Sequence, residues 1–193
     1  MTSFARLVAV ALAVLAGPVA AKDAIDVSPV SVTNPRSALP KDWNRSASFM
    51  EIFVRSYQDS DGDGIGDFPG LTSRLDYLKD LGVTGIWLMP MHPSEDGDHG
   101  YAVNDYRAVD PDYGTMADFE QFLAEAHKRG VGVIIDFVVN HSGSGNALFQ
   151  AAASSKTSPY RDWYIFADEN PGWYDKQMAG VSGAYWTDPW KPV

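Results

Sequence analysis

Asp59-Ser60-Asp61-Gly62-Asp63-Gly64-Ile65-Gly66-Asp67 places four aspartates within nine residues. Carboxylates at alternate positions repel one another unless a cation sits among them. Hard divalent cations favour this arrangement, taking about six to eight oxygens at roughly 2.3–2.6 Å from a loop flexible enough to wrap round them. The spacing approaches an EF-hand loop, but position 12 counted from Asp59 is Gly70, where that loop needs a bidentate Glu. The preceding Met50–Tyr57 is β-branched and aromatic, which predicts a strand and not an entering helix. The segment therefore reads as a calcium loop mounted on a strand, with a solvated acidic turn as the alternative.

The chain of 193 residues opens with Arg6, an apolar run over Leu7–Ala16 and the small residues Val19-Ala20-Ala21, the form of a cleavable export signal at 1–21. The apolar run is too short to span a bilayer. Cleavage after Ala21 leaves 172 residues and moves the formal charge from −10 to −11, because Arg6 is the only charged residue removed. An acidic surface disfavours nucleic acid and anionic membranes and suits a neutral partner such as a sugar. There is no cysteine, so an exported chain of this size must hold its loops by packing or by metal. Residues 22–48 carry Pro29, Pro35 and Pro40 without period and read as an extended leader.

Strand and helix signals then alternate. A strand over Met50–Val54 leads into the aspartate loop. Leu71, Leu75 and Leu78 mark one helix face up to Gly82, and an apolar run over Thr84–Met89 is stopped by Pro90. Thr115 and Asp118 form a capping-box pattern for a helix over Met116–Arg129, with Phe119, Phe122, Leu123 and Ala126 on its buried side. Val131–Val139 is apolar on both faces, as expected of a parallel strand covered by helices. This βαβαβ pattern predicts an α/β fold with a parallel sheet, either an open doubly wound sheet or the start of a (β/α)8 TIM barrel. The glycines after the first strand are interleaved with aspartates, which disfavours dinucleotide binding.

Polar residues follow each strand end, where a barrel carries its active site. Asp98-His99-Gly100-Tyr101 sets a carboxylate and an aromatic plane beside a glycine, which suits a pyranose and would equally fit a plain turn. Asp136-Phe137-Val138-Val139-Asn140-His141 ends the third strand, with Asp136, Val138 and Asn140 on one face. His141 opens a Ser/Gly loop, and spacing alone leaves functional and structural roles open.

Together these segments, with Ile86-Trp87-Leu88-Met89-Pro90, Asn104-Asp105-Tyr106-Arg107 and Tyr113-Gly114-Thr115-Met116, resemble the alpha-amylase family of glycoside hydrolases from about Phe49 to Ala167. The resemblance implies the TIM barrel, with residues 49–158 as its first three βα units and 159–193 as the start of an inserted, irregular domain B. It implies retaining cleavage of α-glucosidic bonds in starch-like polysaccharides. It further implies that Asp59, Asp61, Asp63 and Asp67 by side chain, and Ile65 by its carbonyl, hold Ca2+. By the same resemblance Tyr101 stacks under the sugar, Asp98 and His141 bind its hydroxyls, and Asp136 and Asn140 brace the strand end. Ala102 departs from many oligosaccharide-specific relatives, which have Asp directly after Gly-Tyr.

Retaining glycosidases need two carboxyls about 5–5.5 Å apart. In the resembled family both come from later strands, and no matching segment occurs in these residues. The expectation is thus an N-terminal part of a secreted or periplasmic hydrolase, an incomplete barrel inactive alone, acting on α-glucan or malto-oligosaccharide and monomeric when full length. Oligo-1,6-glucosidases, α-glucosidases and trehalose- or sucrose-isomer-forming enzymes are the alternatives within the family. A non-catalytic, calcium-stabilised carbohydrate-binding module is the alternative of another class. A calcium sensor lacks the paired helices it needs.

Overall fold

A computed structural model describes residues 25–29, 39–94 and 99–166. The export signal at 1–21, most of the leader, and positions 167–193 of the domain B expected after the third strand lie outside the described residues. No helix among the described residues is long and apolar enough to cross a membrane.

Three strands, β1 (Phe49–Ile52), β2 (Gly85–Leu88) and β3 (Gly132–Ile135), form a parallel sheet in the order β1-β2-β3. Phe49 pairs with Gly85 and Gly85 with Gly132, and the register continues to Ile52, Leu88 and Ile135. Between the strands run α1 (Phe68–Ser73), α2 (Leu75–Asp80) and α3 (Met116–Lys128), and α4 (Ala147–Ala153) follows β3.

The expected helix through Leu71, Leu75 and Leu78 is broken in two at Arg74, whose φ of −99° and ψ of 2° leave the helical region. The break coincides with a tether, since Arg74 Nε donates to Gln58 Oε1 at 2.7 Å. All three leucines still point into the core and are fully buried. Each such side chain contributes roughly 1.5–3 kcal/mol by leaving water.

The strands are shorter than expected. β1 gives way to a 3-10 turn at Val54–Ser56, and β3 ends at Ile135 instead of Val139. For β3 the cause lies in β2: Asp136 N donates to Leu88 O, and the next β2 donor on that side would be Pro90, which has no N–H.

Alternation along the strands separates two faces. Ile52, Ile86 and Leu88 are buried in one core with Phe68, Leu71, Leu75, Leu78, Phe122 and Ala126 from the helices. The opposite face carries Phe49, Glu51, Trp87 and Ile134, with 43%, 39% and 42% of Phe49, Trp87 and Ile134 exposed. The double-sided burial expected of the third strand is therefore not present, because nothing among the described residues covers the face that carries Ile134, on which Trp87 of the central strand is exposed as well. Phe137 and Val139 beyond β3 are also exposed. Glycines on the open face leave room for neighbouring rings. A Cβ on Gly132 would collide with the Trp43 ring, and one on Gly85 would lie 2.7 Å from Phe49 Cδ1.

α3 begins at the capping box anticipated for it. Thr115 Oγ1 accepts from Asp118 N, and the Asp118 carboxylate accepts from Thr115 N at 2.8 Å. At its other end Arg129 donates to Asp76 at 2.7 Å and to Glu125, tying α3 to α2. These contacts fix the frame from which the loops after each strand project.

Candidate functional site

Loops at the carboxyl ends of the parallel strands carry the candidate groups. After β1, the aspartate loop is built on Asx turns, in which short carboxylates accept from backbone N–H groups two or three residues on. Asp59 Oδ1 accepts from Asp61 N (3.1 Å) and Gly62 N (2.7 Å), and Asp59 Oδ2 accepts from Gly64 N (2.9 Å). Asp61 and Asp63 repeat the pattern toward Asp63 N and Ile65 N. Positive φ at Gly62 (89°) and Gly64 (92°) lets the chain coil this tightly. The N–H donors hold the Asp59 carboxyl below the usual carboxylate range, the bond from Gly62 first. Asp59 is accordingly ionised at neutral pH.

Asp67 closes the loop and starts α1. Its Oδ1 accepts from Gly70 N at 2.6 Å as an N-cap, while its Oδ2 accepts from Ser60 N at 3.0 Å and Ser60 Oγ at 2.9 Å. Ligand oxygens of Asp59, Asp61 and Asp67 lie within 4.8 Å of one another. Asp63 stands outside this group. The donors are all carboxylate oxygens, with lone pairs beyond those used by the backbone, which fits a hard cation and not a thiolate- or imidazole-seeking one.

The loops after β2 and β3 meet each other. Tyr101 Oη donates to Asp136 Oδ2 at 3.3 Å, joining the expected stacking ring to the residue that follows β3. Gly143 N donates to Val103 O at 2.8 Å. The buried Asn146 donates from Nδ2 to Asn104 O at 3.1 Å and caps α4 through Oδ1, which accepts from Leu148 N at 3.0 Å. Tyr106 Oη reaches both Val138 O (2.8 Å) and His141 O (2.7 Å). Burial raises the Tyr106 phenol above its ordinary value, so it remains a donor at neutral pH. His141 is half-buried, and its Nδ1 is 3.3 Å from Asn140 Nδ2. The ring of Phe53, just after β1, meets His99 edge-on at 5.0 Å. Tyr101, His99 and His141 thus share one end of the sheet. Asp98 lies outside the described residues.

A geometry of this kind, an acidic loop after the first strand and an aromatic and imidazole rim after the next two, can be compared with known proteins. The family pattern described as the alpha-amylase catalytic domain matches residues 51–190. The chain belongs to the alpha-amylase family. Alpha-amylase 3 of Dictyoglomus thermophilum is 46% identical over 151 residues, covering 76% of this chain and 30% of that protein. Oligo-1,6-glucosidase of Halalkalibacterium halodurans is 48% identical over 146 residues, covering 75% and 26%. Among solved structures, a MutB mutant in complex with the substrate sucrose superimposes with a TM-score of 0.65 at 46% identity, covering 69% of this chain and 24% of that one. Bacillus licheniformis trehalose-6-phosphate hydrolase gives 0.64 at 46% identity, covering 67% and 23%. This alpha-amylase family chain thus spans about a quarter to a third of the length of the relatives it matches.

Within the alpha-amylase family chain, the sequence singled out the aspartates, Tyr101 and His141 directly. It missed the bracing roles of Tyr106 and Asn146 and the whole of α4. For α4 a signal was available: Asn146 is a strong N-cap residue followed by Ala-Leu-Phe-Gln-Ala-Ala-Ala, nearly all good helix formers. For Tyr106 no local signal exists, because its partners lie 32 and 35 residues away.

Proposed function

We propose that these residues form the front of an exported, retaining α-glucan hydrolase of the amylase type, the export signal being residues 1–21. Tyr101 offers its ring to a pyranose, and His141 and Asp98 bind its hydroxyls. The observation that carries this reading is the joining of the loops after β2 and β3, which brings Tyr101 beside Asp136 and His141 beside Tyr106 at one end of a parallel sheet. The nucleophile and the acid/base belong to later strands of the barrel, and positions 159–193 begin domain B.

Asp59, Asp61 and Asp67, with Asp63 and the Ile65 carbonyl, would hold Ca2+, the ion best suited to an all-oxygen loop. When bound, the ion neutralises adjacent carboxylates. It acts on the rim only through β1 and α1, so the loop is a stabilising device.

The names of the relatives support α-glucosides as substrates, and their near-equal identities favour a second reading, cleavage of 1,6-linked oligosaccharides. Assay of the polypeptide that carries this chain on soluble starch and on isomaltose separates the two. Release of reducing sugar from starch supports the first, and release of glucose from isomaltose alone supports the second. Activity on neither overturns the hydrolase reading.

A further inference from the structure

We infer that Tyr106 is a positioning residue of the sugar-facing rim, an inference that rests on the functional reading above. Past Ile135 the β3 ladder stops, and the carbonyls of Val138 and His141 need donors from outside the sheet. One phenol supplies both, with Oη at 2.8 Å from Val138 O and 2.7 Å from His141 O. A single proton shared between two carbonyls fixes the turn through Val139 and Asn140, and with it the direction in which His141 leaves the backbone.

The same side chain is held on two sides. Phe137 meets its ring edge-on at 5.6 Å, and His92 lies at 5.9 Å with its Nδ1 2.9 Å from Ala108 O. Tyr106 stands five residues after Tyr101 on the loop that follows β2, so it couples the stacking ring and the imidazole mechanically. Gly143 N to Val103 O and Asn146 Nδ2 to Asn104 O close the clamp on its far side. A Cβ on Gly143 would collide with Asn104 Oδ1, which shows how closely the two loops approach.

Tyr106→Phe removes the donor and keeps the ring, and two measurements on the polypeptide that carries this chain read the outcome. Losing a hydrogen bond shared between two carbonyls is expected to speed exchange of the Gly143 amide about tenfold, with the Phe122 amide in α3 unchanged. With 4-nitrophenyl α-D-glucopyranoside as probe, KM is expected to rise about tenfold while kcat changes less than about threefold, since the hydroxyl acts on ground-state and transition-state binding alike. Unchanged Gly143 exchange overturns the inference. So does equal acceleration at Gly143 and Phe122, which would mark a general packing role. If the unsubstituted protein fails to act on any α-glucoside, the hydrolase reading falls, and the exchange comparison still decides whether Tyr106 holds the two loops together.

Discussion

Replacing Asp67 separates what the chain does for its acidic loop from what an ion does. Asp67 is 8% exposed, and its carboxylate accepts three hydrogen bonds, from Gly70 N, Ser60 N and Ser60 Oγ. Asp67→Ala removes all three. The lost N-cap costs about 1–2 kcal/mol. The bonds to Ser60 add roughly another 1–2 kcal/mol, less than the full value for an ionised acceptor because water can replace the carboxylate at the exposed Ser60. Asp67→Asn keeps an oxygen toward Gly70 N but sets an amide N–H against Ser60 N–H, and is expected to cost about half as much. Urea unfolding with EDTA present reads both values, because these bonds belong to the chain and need no cation. Added Ca2+ is then expected to widen the gap between the unsubstituted protein and Asp67→Ala, since a ligand stabilises only the state that binds it. An Asp67→Ala protein within about 0.5 kcal/mol of the parent in EDTA would refute the assignment of Asp67 as the strut of the loop.

Acid should loosen α3 and its junction with α2. Asp118 is held low by its bonds from Thr115, and Asp76 and Glu125 by Arg129. A carboxyl depressed in the folded state contributes stability that is complete above its unfolded value near pH 4 and is lost as pH falls through the lower folded value. Protection factors of the α3 amides, corrected for the intrinsic pH dependence of exchange, are therefore expected to fall below about pH 4, after a smaller loss as pH drops below about 6.5, where His127, its pKa lowered by burial, must charge; protection unchanged from pH 7 to pH 3 would contradict this. Gly66→Ala would drive a Cβ into the Val54 carbonyl, a backbone atom that cannot swing aside, and should lower the unfolding midpoint by more than Gly62→Ala, where a Cβ meets open space and the cost is the positive φ. An equal effect of the two substitutions would contradict that close approach.

The elements that the sequence revealed are those governed by short-range rules. The α3 cap was legible because Thr115 and Asp118 lie three residues apart, and the buried face because Phe122 and Ala126 follow helical spacing. Strand ends were not legible. Whether Val138 remains in a ladder depends on Pro90 in the neighbouring strand, a fact about register and not about Val138. The break at Arg74 likewise coincides with a bond to Gln58, sixteen residues earlier. Apolar runs also say nothing of which neighbour covers them, so Ile134 and Val139 read as core and stand exposed. In the site, the aspartates stand out by type and spacing, whereas the roles of Tyr101 and His141 come from the family resemblance, spacing alone leaving them open. The groups that place them, Tyr106 and Asn146, act across loops more than thirty residues apart in the chain and become visible only when the strands are paired.

The most direct test is the structure of the polypeptide that carries this chain with maltotriose bound. The sugar is expected at the carboxyl end of the sheet, with the Tyr101 ring against one pyranose face and the His141 imidazole within hydrogen-bond distance of a hydroxyl of the same ring. Maltotriose bound elsewhere, or a Tyr101 ring turned away from a sugar seated above the strands, would contradict the proposed role of the loops after β2 and β3.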